Sequence, residues 1–194
     1  MPDDTFDLPP LPPESAALLD KVVPPPHRPP LLYRAMAANP GVLRGYIEQP
    51  ILGLRGLLHT GQLSADEREL CVLRVTAKCD AEHEWGVHVA YFGKTSGLTQ
   101  SQIDATVLDT DPEPGWSTRQ RAVLDIVDAV VDMRRLDAAE LAAIDRTLTI
   151  ETRTEIVAVA SLYLGISATC RVLGIPPEPG APRFPSWTGA QRTP

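Results

Sequence analysis

Glu84 and His88 stand four residues apart in the sequence. On a helix that spacing puts both side chains on one face. A carboxylate beside an imidazole is a proton-handling pair: the acid orients and charges the ring, and the ring gives or takes a proton near neutral pH. The pair lies in the chemically densest stretch of the chain, Glu67 to Leu98, which also holds His83, Cys71, Cys79, Trp85 and a further acid, Glu69. The stretch reads as two helices joined by a turn near Asp80. Glu69 is eleven residues before that turn and His88 eight after it. With a rise of about 1.5 Å per residue, the two differ by only roughly 5 Å along the axis of such a hairpin. Glu69 is therefore expected to approach His88 or Tyr91. Glu84, His88, Tyr91 and Thr95 follow a three-to-four spacing and share a face.

The elements that must position these residues are helices throughout. Asn39-Pro40 reads as an N-cap with proline at the first helical position, opening a helix over 41–60 that Pro50 breaks or kinks. Ser64-x-x-Glu67 is a capping box for a helix reaching about Cys79. Asp80 is expected to cap the next helix, which runs to Ser96 and stops at Gly97. Thr99-x-x-Gln102, Ser117-x-x-Gln120 and Asp137-x-x-Glu140 open three more. A last helix covers Glu151 to Leu173 and ends at Gly174. No sustained two-residue alternation and no Asn-Gly or Asp-Gly hairpin signal occurs, so the expected fold class is all-α.

Proline sets the domain plan. Ten of the 20 prolines fall in residues 1–30 and six in residues 176–194. The expectation is an extended, polyproline-like arm over 1–30, one helical domain over 31–175, and an extended tail over 176–194. The chain has 194 residues, 43% hydrophobic, with a net charge of −7. That charge argues against nucleic acid and anionic membrane as partners. The start MPDDTFDLPP has neither a basic region nor an apolar run, so a secretory leader is not expected. The apolar run Ile156 to Cys170, 15 residues, is short for a membrane span and suits a buried helix. The three cysteines show no CxxC spacing and read as free thiols in a reducing cytoplasm. Cys71 and Cys170 read as core residues. Cys79 reads as a small packed residue, with a reactive thiol as its alternative. Glu82 is an acid of a first helical turn, and Trp85 a packing anchor at a helix or subunit contact. Positions 83 and 88 point about 140° apart on a helix, so His83 and His88 do not form a metal pair. His27 and His59 carry no motif.

The run Arg68-Glu69-Leu70, Leu73-Arg74-Val75, Cys79-x-Ala81-Glu82-His83-Glu84-Trp85-Gly86-x-His88 and Ser96-Gly97-Leu98 resembles the core of the carboxymuconolactone decarboxylase-like superfamily, which includes alkyl hydroperoxidase D. The tight match covers about 32 residues and a looser one residues 31–178. His83 stands where tyrosine is usual. The resemblance implies an alkyl hydroperoxidase D-like helical bundle around a central antiparallel hairpin, and a homo-oligomer: dimer, trimer or hexamer. The peroxidase branch has a Glu, two cysteines and a His at positions that fall here on Glu69, Ala81, Glu84 and His88, so both thiols are replaced. The decarboxylase branch also lacks the thiols and carries acids before the histidine. The resemblance thus implies a lyase using no cofactor, with proton transfer on a small carbonyl or lactone acid. In it His88 is general acid or base, Glu84 orients or charges the imidazole, and Glu69 completes the relay. Two alternatives stand beside this reading. One is a thiol-dependent hydroperoxide reductase of peroxiredoxin type using Cys79. The other is a non-catalytic helical oligomer that binds a ligand or partner.

Overall fold

The computed structural model describes residues 10–48, 61–108 and 114–186. These residues form nine helices and no strand: α1 Pro13–Val22, α2 Leu31–Met36, α3 Pro40–Glu48, α4 Ala65–Lys78, α5 Glu82–Phe92, α6 Gln100–Ala105, α7 Thr118–Val131, α8 Ala138–Asp145 and α9 Ile150–Val172. The protein is all-α.

The helix starts follow their local chemistry. Asn39 Oδ1 accepts from the amides of Gly41 (3.0 Å) and Val42 (3.2 Å), which leaves Pro40 at the position where no N–H is needed. The Ser64 amide donates to Glu67 Oε2 at 3.2 Å. The reciprocal pairs Thr99–Gln102, Ser117–Gln120 and Asp137–Glu140 open α6, α7 and α8. Each satisfies amides that the first turn would otherwise leave unpaired. Thr149 Oγ1 does the same for α9 by accepting from the Thr152 amide.

Several expectations differ from what is observed. The segment 1–30, expected to be extended, contains α1. Pro13 sits at its first turn, where proline is tolerated, and Leu18 and Leu19 bury one face. Asp80 does not cap α5. It takes a left-handed conformation (φ 54°), Ala81 is the residue before α5, and the Asp80 carboxylate binds Arg171 at 2.9 Å instead. The α5 helix ends at Phe92 rather than Ser96. There Thr95 Oγ1 and Ser96 Oγ donate to the Phe92 and Gly93 carbonyls (3.2 and 3.0 Å), competing with the helical pattern. The helix expected over 41–60 is observed as α3 to Glu48; Pro50 and His59 lie outside the described residues.

Helix α4 is the hub. It packs on α5, α7 and α9, and α9 also lies against α5 and α7. Leu70, Cys71, Val72, Leu73 and Val75 of α4 meet Val123, Ile126 and Val127 of α7 and Ile156, Val159 and Ile166 of α9 in one buried cluster. Each such aliphatic side chain contributes roughly 1.5–3 kcal/mol relative to exposure. Arg74 of α4 locks the hub to α7 through a two-pronged bond to Asp128 (2.8 and 2.9 Å). It also donates to the Thr106 carbonyl at 3.3 Å.

The α9 helix is 23 residues long, longer than its 15-residue apolar run, and by length and composition it could cross a membrane. Here Ile156, Val159, Ala160, Tyr163, Ile166 and Cys170 form a buried face against the bundle. After α9 the chain crosses the outer side of α5. Glu82 accepts from the Phe184 amide (2.8 Å) and from Arg183 Nη2 (2.6 Å), and the Phe184 ring meets Trp85 edge-on at 5.3 Å.

Candidate active site

The α4–α5 pairing brings Glu69 to His88. Glu69 Oε2 is 2.8 Å from His88 Nδ1, and Arg68 Nε donates to the other carboxylate oxygen at 3.2 Å. Since a carboxylate only accepts, Nδ1 carries the hydrogen. The opposite ring nitrogen, Nε2, lies 2.9 Å from the hydroxyl of Tyr163 on α9 and 3.6 Å from Glu84 Oε1 one helical turn away. Glu69, Glu84, His88 and Tyr163 are exposed by only 2%, 7%, 4% and 2%. The imidazole is held edge-on to the Tyr163 ring (87°), and the Phe92 ring centre is 5.2 Å from its own.

The electrostatics follow from this shell. Burial alone would depress the His88 pKa. The hydrogen bonds and charges of Glu69 and Glu84 outweigh it and raise the value to about 9. The ring is therefore an imidazolium at neutral pH, with Nδ1–H given to Glu69 and Nε2–H to the Tyr163 oxygen, which frees the Tyr163 hydroxyl proton. Burial, then the charges of Glu84 and Glu69, holds the Tyr163 phenol well above its ordinary range. Tyr33 of α2 is pushed up to about 12 by burial and by Glu84. With Arg68 beside Glu69, two cations balance two carboxylates. A buried ionic cluster of this size is a poor choice for stability alone, because the removed hydration is seldom recovered.

All three expected site residues, Glu69, Glu84 and His88, are brought together. Glu69 takes His88 and not Tyr91, which is 69% exposed on the outer side of α5. Glu84 and His88 share a face, and neither described cavity is lined by them. One, of about 290 Å³, lies between Arg28, Pro29 and Pro30, the outer face of α5 and residues 178–181. The other, of about 270 Å³, lies between α7 and α8. Tyr163 joins them without having been expected. It was legible in principle: it is the one hydroxyl-bearing aromatic in the apolar run of α9, and a buried phenol needs a partner.

The remaining residues of the motif make contacts elsewhere in the fold. Glu82 holds Arg183, which lowers its pKa, and fastens the segment after α9. Trp85 is buried and donates to Thr106 Oγ1 at 3.0 Å, an anchor within the chain. His83 Nδ1 lies 2.6 Å from the Pro176 carbonyl. Among the described residues no three His, Cys, Asp or Glu side chains converge as metal ligands. Burial raises the pKa of Cys71, Cys79 and Cys170, and all three are free thiols. No family model and no curated protein matches the chain.

Proposed function

We propose that this chain is an acid/base enzyme, a carboxymuconolactone decarboxylase-like lyase acting without a cofactor on a small carbonyl or lactone acid. The observation that supports this most is the unbroken line Glu69–His88–Tyr163, with Glu84 at 3.6 Å from the same imidazole nitrogen. In decarboxylation the C–C bond to the carboxylate breaks and the carboxylate leaves as CO₂. Its electron pair passes to the neighbouring carbonyl as an enolate, and a proton must then reach carbon. His88, protonated at neutral pH, supplies that proton directly or through the Tyr163 hydroxyl. Glu69 fixes the tautomer and orientation of the ring, and Glu84 stabilises its charged form. Solvent returns the proton. The raised thiol pKa values favour this reading over one in which Cys79 attacks a peroxide, because the thiolate is the nucleophile.

Carbon dioxide release from a panel of small lactone and β-keto acids tests the proposal. Turnover of one of them that His88→Ala abolishes supports it, and equal turnover in wild type and His88→Ala overturns it.

We also propose a homo-oligomer. Ile150, Val157, Val172 and Leu173, in and just after α9, are exposed apolar side chains that a second copy would cover.

A further inference from the structure

The cavity of about 270 Å³ opens where α8 packs lightly on α7. Arg121, Ala122 and Asp125 share one face of α7 by their helical spacing, and that face forms one wall. Ile144 and Arg146, at the end of α8, line the other, and Trp116, just before α7, lines the cavity with them. Ala122 and Ile144 are buried and give the cavity an apolar floor. Arg119 Nη1 donates to the Thr147 carbonyl at 3.3 Å and ties the two walls together.

Two opposite charges line this cavity without a partner. Among the described residues, the Asp125 carboxylate accepts no hydrogen bond and makes no ion pair, and the Arg146 guanidinium likewise pairs with nothing. The two do not pair with each other either. Asp125 is half-buried, and burial raises its pKa, with Glu140 and Asp128 adding to the shift and Arg121 and Arg134 opposing it. A carboxylate so placed gains from a cation beside it. Arg146 presents the planar fork that suits a carboxylate. A molecule that satisfies both carries an ammonium and a carboxylate a short distance apart, which is the head of an α-amino acid. Its side chain then faces Trp116 and the apolar floor, where a second aromatic ring packs edge-on or offset. The volume is at the low end for ligand pockets and fits one amino acid, not a peptide.

We propose that the cavity between α7 and α8 binds a free α-amino acid with an aromatic side chain. Asp125 takes the ammonium, Arg146 takes the carboxylate, and Trp116 packs against the ring. The site shares no residue with the cluster of Glu69, Glu84, His88 and Tyr163, and it stands whether or not that cluster is catalytic.

Titration of L-phenylalanine into the full chain, read by tryptophan emission and by calorimetry, tests this. Saturable binding is expected, with a Kd on the order of 0.1–1 mM for so small a ligand. Phenylpropionate lacks the ammonium, phenylethylamine lacks the carboxylate and alanine lacks the ring. Each should bind roughly tenfold more weakly or worse. Asp125→Asn and Arg146→Gln should each weaken phenylalanine by a similar factor. Trp116→Phe should abolish the emission change while calorimetry still detects binding. Any of the three analogues binding as tightly as phenylalanine overturns the proposal. So does an affinity unaltered in either charge variant, an emission change that survives Trp116→Phe, or no saturation up to about 10 mM. Where a variant fails to fold, the comparison of the four ligands on the wild-type chain decides.

Discussion

The Nδ1 atom of His88 lies 2.8 Å from Oε2 of Glu69, across the turn that joins α4 to α5. The bond ties proton chemistry to folding. His88 ordinarily titrates near 6.5 and here near 9, so its folded value is the higher one. The linked stability is therefore complete below pH 6.5 and is lost as pH rises to 9. Over that window it is on the order of 3 kcal/mol. Urea unfolding at pH 6 and pH 9.5 should show wild type losing stability relative to His88→Ala. A stability gap between the two proteins that does not change with pH would remove the linkage.

Tyr163→Phe tests whether the phenol takes part in proton transfer or only fills space. The ring and its packing remain, but Nε2–H loses its acceptor at 2.9 Å. Turnover should fall on the order of 10²-fold, and Glu84→Gln should cost a similar factor with helix content intact. The pH profile of the Phe variant should shift as well. A variant with lower stability but wild-type kcat and pH profile would mark Tyr163 as a packing residue.

The site was legible where chemistry and helical period coincide. Glu84 and His88 share a face because they are four apart, and Glu69 follows from the hairpin arithmetic. The capping boxes at Ser64, Thr99, Ser117 and Asp137 placed the helix starts for the same local reason. Tyr163 was not found, because its meeting with His88 spans 75 positions and depends on how α9 crosses the hairpin. Helix α1 was missed because proline density masks an apolar pair, Leu18 and Leu19, whose value appears only on burial. At Asp80, sequence offered two local roles, helix cap or turn. The distant Arg171 takes its carboxylate, and the chain turns there in a left-handed conformation.

The cysteines should not form an internal disulfide under mild peroxide. Cys71 and Cys79 are eight apart on and just after α4, which holds their Cα atoms about 12 Å from each other, beyond disulfide reach. Burial also keeps their thiols protonated. Intact-mass and peptide analysis after brief peroxide treatment should show three free thiols. A fast, reversible Cys71–Cys79 bond would restore the thiol mechanism.

Light scattering at micromolar concentration should give a mass of at least two chains. Val157→Lys places a charge on the exposed side of α9, outside the buried face. It should shift the assembly toward monomer with helix content unchanged. A wild-type chain that stays monomeric would leave the apolar side chains of α9 without the proposed partner.

Gly86→Ala opposes two effects whose sizes decide the outcome. Inside a helix, alanine is favoured over glycine by about 1 kcal/mol. At this position, however, the new Cβ would lie 2.4 Å from the Pro182 carbonyl oxygen, a backbone atom that cannot swing aside. Relief requires the segment after α9 to lift from α5, straining the bonds Glu82 makes to Arg183 and to the Phe184 amide. Overpacking of this kind costs about 1–3 kcal/mol, so the clash should outweigh the helix gain. The expected result is a Tm lowered by several degrees, with faster hydrogen exchange confined to residues 176–186. A Tm equal to or above wild type would show that the segment gives way without cost and does not hold α5 in place.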